Sequence, residues 1–201
     1  MDVAELLERH GTTYADQAGI TLRDKPMPLF QLLVLTQLSS ARISADIAAA
    51  SAREVFRAGW RTPRRLRQAT WQERVDALGR GGYRRYDEST ATALGGLADQ
   101  VLEDLRGDLR RIRPGDAGAA ELEDRLTGFP RIGPQGARIF CREVQDTWPE
   151  VAPYLDDGCR DAAGRLGLPR DPHRLADRAP GGRVAVLAAA LTRYALQNRR
   201  Q

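Results

Sequence analysis

Residues 128–140, GFPRIGPQGARIF, set two glycines (Gly128, Gly133) and two prolines (Pro130, Pro134) around one short turn, then continue as a helix. Apolar residues at Ala137, Phe140, Cys141 and Val144 follow at i, i+3, i+4 and i+7, the spacing of one helical face. Upstream, Leu122, Leu126 and Phe129 line one side of AAELEDRLTGF. The pattern predicts a helix over about 117–128, a tight loop over Pro130–Gly133, and a second helix starting at Pro134, where a missing N–H costs nothing. Gly133 is expected to supply the permissive backbone and to leave space for a ligand. The exposed amides at the start of the second helix lie at the positive end of its dipole, which suits an anion such as a nucleic-acid phosphate. For this stretch alone a plain αα-hairpin with a Gly/Pro turn fits as well.

The rest of the chain is helical in the same way. LFQLLVLTQLSS is apolar nearly all round, as a helix at the centre of a fold would be. Thr62 and Pro63 stand as cap and first residue of another helix, and Trp71, Val75 and Leu78 form a stripe on a third. DESTATALGGLADQVLEDLRGDL is the longest helical pattern, weakened by Gly95 and Gly96. No credible alternating strand or internal repeat is found, so the expected class is all-α with roughly ten short helices.

Composition narrows the function classes. At 201 residues, 42% apolar and 29% charged, the chain is an ordinary globular one with enough length for a sizeable core. The longest apolar run, VAVLAAAL at 184–191, is far short of a bilayer span of about 20 residues. The N-terminus lacks the basic and apolar regions of a signal peptide. No membrane partner and a cytoplasmic location (nucleoid-associated if bacterial) are therefore expected. Cys141 and Cys159 fall at apolar helical positions without zinc-ligand spacing, and read as small core residues. Net charge is +4, and Lys25 is the single lysine among 31 basic residues. Compositional bias accounts for such a preference; arginine's two-pronged fork also suits phosphate.

LTGFPRIGPQGARIF resembles the LPGVGxxTA hairpin of the endonuclease III superfamily of DNA glycosylases, the helix–hairpin–helix-GPD proteins. PLFQLLVLTQLSS is similar to that family's PFELLIAxxLSxQ helix, TPRRLRQA to its TPxxL segment, and LGRGGYRRYDESTATALGGLA to its IxxxGLYxxKAxxL region. TWPEVAPYLDDGCRDAAGRLGLP resembles WPxxxVDTHVxRVxxRLGL with about two extra residues at Pro153–Tyr154, and LTRYALQN resembles the terminal HGRYxC. The likeness runs in order over residues 26–196.

The resemblance implies two helical lobes with a DNA-binding cleft between them. One would be barrel-like, over 25–145, and end in the helix–hairpin–helix. The other would combine 1–24 with 146–201. Anchored on RLGL at 165–168, the family's essential aspartate falls on Asp156; a one-residue offset would move it to Asp157, and either acid also suits a helix cap. A carboxylate there can stabilise the positive charge that glycosidic cleavage builds on the sugar. Gln135 occupies the place of the lysine that attacks C1′ in bifunctional members, and an amide cannot be that nucleophile. A monofunctional glycosylase is implied, with a non-catalytic DNA-binding module or an abasic-site lyase as alternatives. Implied DNA contacts are Arg131, Ile132, Gly133, Gln135 and Gly136 of the hairpin, with Gln37, Tyr83 and Arg84. Gly82 stands where a leucine wedge belongs, leaving Tyr83, Arg84 or Arg85 to substitute. The four-cysteine cluster loop is absent, so no iron–sulfur cluster is expected, while a monovalent cation at the hairpin stays open. Double-stranded DNA is the implied partner of a protein expected to be a monomer.

Overall fold

A computed structural model describes residues 1–198 of the chain. Among the described residues it has twelve α-helices and no strand. In order they are α1 (Val3–His10), α2 (Tyr14–Gln17), α3 (Pro26–Ser39), α4 (Ala45–Arg57), α5 (Pro63–Gln68), α6 (Trp71–Arg80), α7 (Asp87–Leu105), α8 (Gly118–Thr127), α9 (Pro134–Val144), α10 (Asp157–Arg165), α11 (Pro172–Ala176) and α12 (Val184–Asn198). Short 3-10 turns at Leu109–Ile112 and Gly115–Ala117 carry the chain from α7 to α8. No described helix is long and apolar enough to cross a membrane.

Side-chain oxygens set many helix starts. Thr62 accepts from the N–H of Arg65, with Pro63 as the first helical residue of α5. Thr70 and Glu73 exchange hydrogen bonds in a capping box at α6. The helix α7 runs unbroken through Gly95 and Gly96. A Cβ at Gly95 would meet the Arg74 guanidinium at 3.0 Å, and one at Gly96 would touch Pro130 at 3.6 Å. The glycine pair lets an arginine of α6 and the turn before α9 approach this helix closely.

The apolar residues form two cores. In the first, α3 is central: residues 28–38 are all buried, and the helix packs against α4, α7 and α9. Truncating one of its buried leucines to alanine would cost about 2–5 kcal/mol. Tyr14, Ala15, Ala18 and Ile20 join this core, as do Val144, Trp148 and Val151. The second core gathers Leu6 of α1 with Cys159, Ala162 and Ala163 of α10, Leu175 of α11, and Leu187, Ala188 and Leu191 of α12. Buried Glu143, near the end of α9, accepts N–H bonds from Tyr14 (3.1 Å) and Ala15 (2.8 Å), tying the N-terminal segment to that helix. The cleft described next borders α9, α10 and α12.

Candidate nucleic-acid interface and active-site cleft

Between α8 and α9 the chain turns through Gly128–Gly133. The left-handed residue of this loop is Arg131, at φ 58°. Gly133 lies at φ −91° and ψ −174°, a conformation open to any residue, so it is not required there for backbone freedom. Its Cβ position faces open space, which leaves the surface in front of the helix unobstructed. Pro134 is the first residue of α9, as its missing N–H suggests. The N–H groups of Gln135 and Gly136 follow it in the first turn and belong to the orphan donors of a helix N-terminus. Ile132, in contrast, is buried, and its N–H already donates to Phe129 O. It anchors the loop instead of facing a ligand.

Several contacts hold the hairpin in place. Gln37 donates from Nε2 to Pro130 O at 2.7 Å and to Ala93 O at 3.2 Å. Gln100 donates to Gly128 O at 3.2 Å, and Arg131 to the Ser89 hydroxyl at 2.7 Å. Gly136 sits directly over Ser40, whose Oγ would be 2.2 Å from an added Cβ.

Two further residues expected at the DNA surface lie in the interior. Gln37 is 2% exposed, and its Nε2 is spent on the carbonyls of Ala93 and Pro130 while its Oε1 finds no partner among the described residues. Counted from Leu38–Ser39, the glutamine of the LSxQ pattern falls on Ala41, not on Gln37. Tyr83 is 1% exposed, with its hydroxyl donating to Leu38 O at 3.2 Å. It braces the loop behind α3 and cannot reach into a duplex as placed. Arg84 and Arg85 are exposed on that loop, Arg85 lying over the Tyr86 ring at 5.3 Å.

Asp156 is the N-cap of α10: its Oδ1 accepts the Cys159 N–H at 3.0 Å. Its other oxygen, Oδ2, receives a hydrogen bond and ion pair from Arg142, whose guanidinium is almost fully buried. Burial pushes the Asp156 carboxyl upwards, but the Arg142 charge and the Cys159 N–H outweigh it and hold the group below its ordinary value. Burial likewise works against the Arg142 charge, and Asp156 first among its neighbours keeps it protonated. Asp157 is 81% exposed and pairs with Arg160 on the surface. Burial, with the Asp156 carboxylate beside it, pushes the Cys159 thiol up to about 12, so it offers no thiolate at neutral pH.

A cleft of about 300 Å³ joins these groups, with Gln135, Arg138, Arg142, Asp156 and Asp157 on its walls. The hairpin position of Gln135 and the carboxylate of Asp156 therefore face one space, with two arginines between them. Arg142 is a site residue that sequence reasoning overlooked. It lies seven residues after Gln135 and four after Arg138, so one face of α9 carries all three. It stands on the polar face of α9, opposite the stripe of Ala137, Phe140, Cys141 and Val144, so nothing in the pattern marked it. Among the described residues, no group of three or more His, Cys, Asp or Glu side chains is placed to hold a metal ion.

No family model matches the sequence, and no curated protein matches it significantly. Solved structures do match. A trapped endonuclease III–DNA covalent intermediate, an estranged-adenine complex, aligns with a TM-score of 0.53 and 16% identity over 96% of this chain and 85% of that one. A non-covalent endonuclease III–DNA complex aligns with a TM-score of 0.54 and 16% identity over 94% of this chain and 82% of that one. At such identity the likeness speaks to architecture. Over most of its length this chain has the all-α fold of endonuclease III.

Proposed function

We propose that the protein is a monofunctional DNA glycosylase that flips a damaged or mispaired base out of double-stranded DNA and hydrolyses its N-glycosidic bond. The observation that carries this reading is the shared cleft of Asp156 and Gln135 beside the hairpin. The hairpin would grip a backbone phosphate with the free N–H groups of α9, while Arg84 or Arg85 fills the gap left in the stack.

As the bond to the base breaks, its electron pair leaves with the base, which takes up a proton. Positive charge grows on the sugar, and water completes the reaction by adding its oxygen to C1′ and releasing a proton, which balances the one the base takes up. An ionised Asp156 offsets that charge electrostatically. Its depressed pKa makes it a weak proton acceptor, so stabilising the sugar cation is its principal task and activating water a secondary one. Gln135 brings no amine to C1′. Lys25 stands at the start of α3, 12 residues and about 18 Å along the helix from Gln37 at the hairpin. An intact abasic site is the expected product.

One observation favours a second reading, a hairpin module that binds DNA without excising a base. The Arg142 guanidinium neutralises much of the charge Asp156 would apply to a sugar cation. The two readings, and a lyase, separate in one assay on duplexes carrying a panel of lesions. Breaks seen only after alkali support monofunctional excision. Breaks without alkali indicate a lyase, and binding without any product indicates the module.

A further inference from the structure

A trough lies at the N-terminal end of α3, the opposite end from the hairpin. One part, about 620 Å³ in volume, is walled by Pro26, Met27, Pro28 and Pro63. It shares Thr21, Met27 and Pro28 with a second part of about 360 Å³, which is bordered by Gln31, Arg53, Arg57 and Arg61. These volumes suit a small molecule. No acidic side chain lines either part.

Gln31 lines the second part of the trough and is 7% exposed. An amide in that wall can both donate to and accept from a ligand. The arginines opposite are partly pre-placed. Arg53 donates from Nη1 to Gln17 O, and Arg61 from Nε to Phe56 O at 3.1 Å, which leaves their other N–H groups unspent. Arg57 reaches the rim, paired with Glu54. The start of α3 has no side-chain cap, so the Met27 N–H adds a dipole favourable to an anion. Arg53 and Arg61, each already held at one N–H, lose less freedom than a free arginine when they bind oxygens.

We propose that this trough binds a nucleoside phosphate. The base lies against the flat proline and methionine wall, and the phosphate is held by Gln31, Arg53, Arg57 and Arg61. The site is separate from the cleft of Asp156, and neither depends on the other being correctly assigned.

The chain has two methionines, Met1 and Met27, so the methionine methyl NMR spectrum reports the trough directly, with Met1 as a bystander. Adenosine and guanosine monophosphates should shift the Met27 signal saturably. Inorganic phosphate and the parent nucleosides should each bind more weakly, because each fills half of the site. Arg57→Ala should weaken nucleotide binding about tenfold, the loss of one charge-assisted contact. Glu54 keeps Arg80 as a partner in that variant. Gln31→Met, of similar shape but unable to hydrogen-bond, should weaken it likewise, whereas Arg178→Ala on a distant surface should not. An unmoved Met27 signal with both nucleotides would overturn the proposal. So would an unchanged affinity in Arg57→Ala, equal binding of inorganic phosphate alone, or expulsion of the nucleotide by an undamaged duplex.

Discussion

Arg142 closes over Asp156 from the buried side. The guanidinium is 5% exposed and the carboxylate 15%, and both oxygens of Asp156 are engaged, one by Arg142 and one by the first turn of α10. The residue that caps the helix is therefore also the one whose charge is presented to the cleft. Removing that charge has a structural effect as well as a chemical one.

Asp156→Asn keeps a good N-cap but loses the ion pair and leaves Arg142 buried without a counter-charge. Excision should disappear while duplex binding persists. Denaturant melts should show a stability loss of about 3 kcal/mol, the lower end of the range for breaking a buried pair. Excision that survives in this variant would sink the catalytic assignment of Asp156.

Acid should act through the same pair. The folded chain holds Asp156 below its ordinary value of 3.8, so the unfolded chain takes up that proton first as pH falls. The stabilisation is complete above the ordinary value and drains away as pH drops through the folded one. The stability gap between wild type and Asp156→Asn, measured by urea titration, should thus be constant near neutrality and shrink below about pH 4. A gap that widened in acid would contradict the pairing.

Gln135→Lys should place an amine in the cleft beside Asp156. With a duplex carrying an abasic site, borohydride should trap a covalent complex that wild type does not form, and strand breaks should appear without alkali. If neither occurs, position 135 does not face the sugar.

Gly136→Ala should strain the seat of the hairpin, because the new methyl would collide with Ser40 Oγ at 2.2 Å and press on Ile132 at 3.2 Å. A cost of about 1–3 kcal/mol and weaker DNA binding are expected. Ser40→Ala removes the colliding hydroxyl, so the double variant should recover most of the loss in a double-mutant cycle. Additive effects would show that the two positions are not coupled.

The hairpin was readable because its signals are local. Pro130, Pro134 and the apolar spacing after them mark a turn and a helix start within a dozen residues. Side-chain destinations set by distant packing were not readable. Gln37 and Tyr83 look like ligand-facing groups, but each donates to a backbone carbonyl that only the folded chain brings within reach. Arg142 was missed for the opposite reason, since a buried arginine is unexpected until its partner on α10 is in view. The left-handed residue of the loop is Arg131 and not Gly133, so the glycine there did not mark the strained position. Gly95 and Gly96 read as weak points of α7, and are instead the places where neighbours come closest.

The single lysine of this chain stands at the start of α3, facing the trough and far from the hairpin. Acetylating enzymes neutralise amines and leave guanidinium groups charged. The arginine-built surface that would meet DNA is consequently immune to that kind of silencing. Acylation of Lys25 would alter the trough alone.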